Sequence, residues 1–396
     1  MSCLRVLAAW SFVGMMSFAG AATGGWKLPP LDGELTGELS VPLLSPSPQL
    51  TWKLSVRTAR PHEREVDFSL AGPGVKIRGE ATLDRKAEGT WRVVEGEVTL
   101  AEWFRVGPLY AATLAGMDTG GTVTFSGNGT WRDGELGGVT VISVREGRID
   151  DPARKIALEG ISVDVEFTDL ATLRTAPAQV FTWRSGRYDV VPLGVGRIEF
   201  DLDREAIRVT SALIDVFGGE LQVGSLVLSM QRPEFSVEAR MAGVDVGQML
   251  FLLPPVLREA SGRMDGSVAL KRDASGLHIG AGNLSLRPGE TAQLRLAPTP
   301  GLLSASIPPT VLQHYPGLKA IEMGEAPLRA ETLEVNFTPW GDAQGRTASV
   351  HVTGGPVDPK LRAPIDLNVN VRGPLQSLIQ FGTNSRLQFG TRQPDK

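Results

Sequence analysis

Sulfur chemistry is almost missing from this sequence of 396 residues, which contains a single cysteine, Cys3. That cysteine lies in an N-terminal segment with the features of a secretory signal: Arg5, an apolar run from Val6 to Phe18, and small residues at 19–21. We predict a signal peptide over 1–21, with an uncleaved membrane anchor as the alternative, because the apolar run is short for a bilayer span. The mature chain would then have neither a disulfide nor a thiol nucleophile.

Metal-binding and catalytic signatures are missing as well. The four histidines are tens of residues apart, and none has the paired spacing of a metal site. A GxSxG nucleophile elbow, a Walker loop and a complete GxGxxG are all absent from the sequence. The sequence therefore provides no candidate for a metal ligand or a cofactor. The four histidines are His62, His278, His314 and His351.

Three pairs of carboxylates are the remaining candidates for catalysis, because glycosidases use two carboxyl groups. Residues two apart on a strand share a face, so on a strand whose other face is apolar we expect them to be solvated exterior charges. A carbohydrate-binding or carbohydrate-active β-helix or sandwich is therefore one alternative function, and a structural adhesin of the envelope is another. The pairs are Asp150 with Asp151, Asp201 with Asp203, and Glu95 with Glu97.

An excess of charge of one sign is also absent. Lysine and arginine number 40 against 44 aspartate and glutamate, which gives a formal net charge of −4. The two signs are interleaved, so no basic stripe is available for phosphate backbones, and we predict no nucleic-acid binding. After residue 21 no stretch reaches 18 uncharged apolar residues, so we expect an exported protein that is soluble or peripheral to a membrane.

What the sequence does contain is a repeated β pattern. The 46 glycines and 27 prolines are spread along the chain, and between them lie segments of alternating apolar and polar residues, such as 65–70, 196–203 and 332–339. Their short connections favour antiparallel hairpins over parallel crossovers. Two stretches, 245–261 and 302–323, break this pattern and predict short helices at an end or edge of a sheet.

The alternation is clearest at Ile161, Val163, Val165 and Phe167, where every second residue is apolar. One face of this strand is therefore hydrophobic. A sandwich core would bury that face against a second sheet, whereas a lipid groove would leave it lining a channel. The alternation alone is compatible with both.

The segment GISVDVEFTDLATLRTAPAQVFTW, residues 160–183, resembles the central signature of the YdbH-like proteins, a branch of the AsmA-type intermembrane phospholipid transport proteins. In that signature an alternating strand leads into a leucine-x-x-leucine-x-threonine element and then a glutamine. Leu170, Leu173, Thr175 and Gln179 match these positions.

The resemblance continues in IDVFGGELQVGSLVL at 214–228 and in GGPVDPKLRAPIDLNVNVRGPLQSLI at 354–379. It covers roughly residues 140–380, whereas 26–140 are only loosely similar. We accordingly predict an N-terminal β region over 22–140, a YdbH-like β-groove region over 141–390 and a disordered tail over 391–396.

The resemblance implies a mainly β fold: a long twisted, largely antiparallel sheet curled into an open groove whose concave face is apolar. It further implies a non-enzymatic lipid conduit of the periplasm that needs no cofactor and moves phospholipid acyl chains between the inner and outer membranes. The implied partners are phospholipids, the membranes at the groove ends, and an outer-membrane lipoprotein or inner-membrane protein that completes the bridge.

The candidate lipid-contacting residues are the alternating apolar positions of the clearest strands. They are Ile161, Val163, Val165, Phe167, Ile198, Phe200, Val335, Phe337, Val350, Val352, Leu367 and Val369.

Overall fold

Long strands dominate the computed structural model of the chain, as the alternating pattern predicts. The predicted signal peptide, Leu170 and the predicted tail over 391–396 lie outside the residues that the structure describes. The described residues are 32–40, 49–84, 88–101, 117–132, 135–169, 172–204, 206–229, 234–252, 257–273, 276–305, 307–338 and 346–372.

These residues form 23 strands of one antiparallel sheet together with a few short helices, which confirms the predicted mainly β fold class. Because the strands pair antiparallel, a parallel β-helix does not describe this part of the chain. By compactness the chain divides into two units, which we call the first unit (1–212 and 225–233) and the second unit (213–224 and 234–396).

In the first unit each strand pairs with its neighbour in sequence from β1 to β8. The far edge of β8 pairs with three short strands, β9 to β11, and β12 pairs with β10 and β11. The strands are β1 (Gly33–Ser40), β2 (Gln49–Arg60), β3 (Glu63–Gly72), β4 (Val75–Leu83), β5 (Gly89–Thr99), β6 (Asp118–Arg132), β7 (Glu135–Asp151), β8 (Ile156–Asp169), β9 (Arg174–Thr175), β10 (Gln179–Trp183), β11 (Ser185–Tyr188), β12 (Val191–Asp203) and β15 (Leu226–Ser229), while β13 (Ala206–Val216) has residues in both units.

The strands of the second unit are β14 (Gly219–Val223), β16 (Phe235–Asp245), β17 (Leu257–Ser261), β18 (Arg263–Asp273), β19 (Gly276–Leu286), β20 (Ala292–Leu296), β21 (Leu328–Phe337), β22 (Arg346–Pro356) and β23 (Ile365–Arg372). They pair in the order β14, β16, β18, β19, β21, β22, β23. The short strands β17 and β20 pair with each other, and β20 also pairs with the first half of β21.

The two stretches predicted to be helical have different outcomes. A 3₁₀ helix covers Val246–Leu252, but Leu257–Ser261 is strand β17, so the helical prediction is wrong for that part of 245–261. Pairing with the apolar strand β20 satisfies the backbone there and overrides the local pattern. The stretch 302–323 does contain the predicted short helices, α1 (Pro309–Leu312) and α2 (Pro316–Glu322).

Helix α2 buries Leu318 and Ile321, and its last residue, Glu322, is also buried. The Glu322 carboxylate accepts a hydrogen bond from the backbone N–H of Gly301, which ties the preceding loop to the helix. No helix within the described residues is both long enough and apolar enough to cross a membrane.

Candidate functional site

The apolar residues of the first unit line up across its strands. In an antiparallel sheet, residues directly opposite each other point to the same face. We call two of these alignments the Val163 row and the Val165 row. The Val163 row is Val75, Val98, Val123, Val144, Val163, Phe181 and Ile198. The Val165 row is Trp52, Leu70, Ile77, Gly96, Phe125, Ile142 and Val165.

Glycines opposite aromatic residues leave room for the aromatic rings on this face. A Cβ atom on Gly96 would lie 2.6 Å from the ring of Phe125, and one on Gly37 would lie 2.5 Å from the ring of Trp52. Both glycines are the direct cross-strand partners of these aromatic residues. The rings therefore lie against the backbone of the neighbouring strand, where only glycine leaves room for them.

The opposite face of the same strands carries ion pairs between neighbouring strands. The nitrogen-to-oxygen distance is 2.6 Å for Lys76 and Glu95 and 2.7 Å for Arg145 and Asp164. The pKa of Asp164 is lowered, chiefly because the Ser143 hydroxyl donates a hydrogen bond to it, and Arg145 adds to this effect against a smaller opposing contribution from burial. Since these groups stay charged and exposed, this face is the solvated one.

The six candidate residues of the first unit lie on the apolar face but differ in burial. Ile161 and Phe167 are buried, at 3% and 2% exposure. Between them, Val163 and Val165 are half-buried, and so is Ile198 on β12. The half-buried residues form a continuous patch that we call the middle stripe: Ile142, Val144, Val163, Val165, Phe181, Ile198 and Phe200.

The six candidate residues of the second unit share one face of three neighbouring strands. Val335 lies opposite Val350, which lies opposite Val369, and Val352 lies opposite Leu367. Val352 is buried, whereas the other five, including Phe337 opposite Ala348, are half-buried. The structure therefore brings these residues together as a second apolar patch within the second unit.

Sequence reasoning missed the residues of the middle stripe that come from other strands. The candidate residue Val163 lies directly opposite Phe181 and Val144, and the candidate residue Val165 lies directly opposite Ile142. The apolar alternation of β7 is visible in the sequence, but the register that places it beside β8 is not.

The signature residues that suggested the family form a polar link between strands. The Gln179 side chain accepts a hydrogen bond from the Glu166 N–H at 2.8 Å and donates to the Ala176 and Pro177 carbonyl oxygens at 2.9 and 3.1 Å. The Thr175 hydroxyl accepts the backbone N–H of Leu202 at 2.9 Å. These side chains thus fix the turn after β8 against β12, and we call the arrangement the Gln179 link.

Leu173 contributes to the same turn by its backbone. It has a φ of 55°, which is unusual for a leucine, and its side chain is buried. Ala178, next to Gln179, has a φ of 58°. The Gln179 link therefore holds two non-glycine residues in the left-handed region, where L residues are rarely found.

The three carboxylate pairs do not converge on a catalytic arrangement. One expectation was wrong: Asp151 is a buried residue rather than an exterior one, because it accepts the backbone N–H of Arg154 at 3.1 Å and pairs with its guanidinium. Among the described residues no group of three potential metal ligands is found. The other ion pairs are Asp150 with Arg187, Asp201 with Arg208, Asp203 with Arg174, and Glu95 with Lys76.

The fold and the two patches define a single-sheet β protein whose first unit has one apolar face and one ion-paired face. The chain belongs to the YdbH-like family, described as the intermembrane phospholipid transport protein YdbH, whose family model matches residues 5–311. The match includes the signature at 160–183, reaches further toward the N-terminus than the resemblance did, and ends before 354–379. Neither a curated protein nor a solved structure matches the chain significantly.

Family membership establishes the function at a coarse level. The family is one of intermembrane phospholipid transport, which indicates lipid as the bound substance and the cell envelope as the place of action. The apolar patches are the part of the described structure whose chemistry suits a lipid.

Proposed function

We propose that this protein is a non-enzymatic conduit that moves phospholipids between the inner and outer membranes by holding their acyl chains on the apolar face of its sheet. The observation that carries the proposal is the middle stripe. Seven apolar side chains from β7, β8, β10 and β12 form one half-buried surface, while the other face of these strands carries ion pairs such as Arg145 with Asp164 as well as exposed valines such as Val141. A contiguous apolar surface of this kind marks an interaction site.

The free energy of contact suits acyl chains. Each methylene group moved from water into an apolar environment gains about 0.8 kcal/mol, so an acyl chain lying on the stripe would be stabilised along its length. A head group would gain nothing from the stripe, whose side chains have no hydrogen-bonding groups. We therefore propose that acyl chains occupy the stripe and that head groups remain in water.

No chemical step is required by this function. A lipid that moves from one membrane to another keeps all its covalent bonds, so neither a nucleophile nor a metal nor a cofactor has a role in the proposal. Five of the six carboxylates that could have served a glycosidase, all except Glu97, form ion pairs with arginine or lysine.

The patch of the second unit would serve in the same way. Its half-buried members are Val335, Phe337, Val350, Leu367 and Val369, with Val352 buried beside them. We propose that the protein acts in the periplasm after removal of residues 1–21. We also propose that its ends meet the two membranes with the help of an outer-membrane lipoprotein or an inner-membrane protein.

Photo-crosslinking in the native envelope tests the proposal. p-Benzoylphenylalanine is placed at Phe200 or at Phe337, and the adducts are analysed for lipid after irradiation. The matched controls are Arg197 and Asn336, exposed positions on the solvated side of the same strands. We expect phospholipid adducts at Phe200 and Phe337 only. If neither position yields a phospholipid, the proposed function is wrong.

A further inference from the structure

We propose that the lipid path is closed within the first unit: strands β2 to β5 fill their own apolar face, and lipid is held only from β7 onward. This inference rests on the proposed function and specifies where along the first unit the lipid binds. It is carried by a change in burial along the rows that cross the sheet.

The Val163 and Val165 rows run through both regions with similar residue types. On β4 and β5, Ile77 and Val98 are each only 5% exposed, whereas Val163 and Val165 on β8 are half-buried. The strands alternate in the same way, so the difference lies in what covers the apolar face rather than in its chemistry. We call β2 to β5 the closed segment and β7 to β12 the open segment. Strand β6 lies between them, because its residues Val123 and Phe125 are half-buried but pack against the closed segment.

The closed segment is covered by its own side chains. Twelve buried residues of β2 to β5 form one hydrophobic cluster, and five half-buried residues pack against it. Two of the twelve, Phe68 and Trp91, are large aromatic residues. The five packing residues, which include three more aromatic side chains, are Trp52, Leu54, Val123, Phe125 and Trp131.

The border between the segments is marked by Trp91. Its indole N–H donates a hydrogen bond at 3.0 Å to the carbonyl oxygen of Gly137, so a side chain from β5 reaches β7 across the whole of β6. Gly129 on β6 lies directly opposite Trp91, and Gly138 on β7 lies directly opposite Gly129. Without side chains at these two positions the indole can cross, and the hydrogen bond fixes it there.

A packed cluster of this kind leaves no room for an acyl chain. Protein cores are packed as tightly as organic crystals, so a lipid could enter the closed segment only by displacing several buried side chains. The half-buried middle stripe, in contrast, offers apolar surface that is already accessible. Lipid would therefore enter and leave the first unit through the open segment and would not pass along β2 to β5 toward β1.

Two matched aromatic positions test this inference. Trp52 on β2 and Phe181 on β10 are both half-buried and lie on the same face of the sheet, one in each segment. p-Benzoylphenylalanine is introduced at each in the full-length protein, with Arg197 as the solvated control. We expect phospholipid adducts at position 181. At position 52 we expect the adduct yield to be no higher than the background yield at the Arg197 control.

The outcomes separate the two proposals. Comparable lipid adducts at Trp52 and Phe181 would overturn the closed segment and leave the conduit intact. Lipid at neither Phe200 nor Phe337 would overturn the conduit itself, whatever is found at Phe181. Lipid at Trp52 but not at Phe181 would show that the open and closed segments had been assigned the wrong way round.

A second measurement does not depend on a bulky amino acid in the closed segment. Leu54→Cys and Val165→Cys are made in a protein whose Cys3 is replaced by serine, and their rates of reaction with a maleimide are compared with and without phospholipid vesicles. Both side chains are half-buried in the native protein. We expect vesicles to slow the reaction at residue 165 only; equal protection at residue 54 would contradict the inference.

Discussion

At the scale of single residues, the least expected feature is the buried carboxylate of Asp151. Burial tends to raise the pKa of this group, but the hydrogen bonds and the charge of Arg154 outweigh that effect and hold the pKa below its ordinary value of 3.8. The sequence could not reveal this, because Asp150 and Asp151 are identical in type and adjacent. Which of them points inward depends on the strand register.

Asp151→Asn should destabilise the protein near neutral pH by about 1–3 kcal/mol, because a hydrogen-bonded charge is lost from a buried site. A lowered pKa in the folded state stabilises above the pKa of the unfolded chain, and this contribution is lost as the pH falls toward the folded-state value. The free energy of unfolding of the two proteins, measured by urea denaturation, should therefore converge as the pH is lowered below 3.8.

Asp150→Asn is the matched control for this prediction. Its carboxylate is exposed and lies 3.4 Å from Arg187, so its removal should change stability little at any pH. An equal effect of the two substitutions near neutral pH would contradict the buried role of Asp151.

At the scale of elements, the Gln179 link explains why the signature has its particular residues. A glutamine is needed because one side chain must accept a hydrogen bond from the Glu166 N–H and also donate hydrogen bonds to the Ala176 and Pro177 carbonyl oxygens. The resemblance recognised the family correctly from these residues. Their structural task is to join the turn after β8 to the strands beside it, while the apolar residues before the turn form the middle stripe.

Gln179→Leu keeps most of the side-chain volume but removes all three hydrogen bonds. It leaves one backbone N–H and two carbonyl groups without this partner, so we expect a loss of stability of about 2–4 kcal/mol. Denaturation by urea measures the effect, and Gln293→Leu, at an exposed position on β20, is the control. If the two substitutions lower the free energy of unfolding by the same amount, the Gln179 link does not stabilise the protein and the prediction is wrong.

At the scale of the whole molecule, the alternation of apolar and polar residues was enough to predict a mainly β, antiparallel fold. The short connections explain why the pairing is antiparallel, because they are long enough for hairpins but too short for parallel crossovers. The alternation could not show how deeply the apolar side chains of a given strand are buried. Val75 to Leu83 on β4 and Ile161 to Phe167 on β8 follow the same pattern, yet the first is buried at nearly every apolar position and the second is half-buried at its centre.

This difference gives a prediction for a pair of charged substitutions in one row. Val165→Glu should fold and should impair lipid transport, since a half-buried side chain can turn its charge toward water. Ile77→Glu should fail to fold cooperatively, because an unpaired charge in the closed segment has a large desolvation cost. Far-UV circular dichroism during thermal denaturation measures both, alongside transport in cells that depend on this protein.

Glu166→Gln, on the solvated face beside Val165, serves as the control and should change neither property. Unfolding of the Val165→Glu variant would place that residue in a closed core and contradict the open segment. Normal transport by a folded Val165→Glu protein would contradict the role of the middle stripe.

The neighbour-by-neighbour pairing of β1 to β8 also has a consequence for how the protein is made. Each of these strands pairs with the strand synthesised just before it, and the connection is short at most steps, the one between β5 and β6 being the longest. A chain that emerges from its N-terminal end could add one strand after another, without waiting for distant sequence. The hydrophobic cluster of β2 to β5 would then be complete before the open segment has been synthesised, and the growing sheet would start from a stable end.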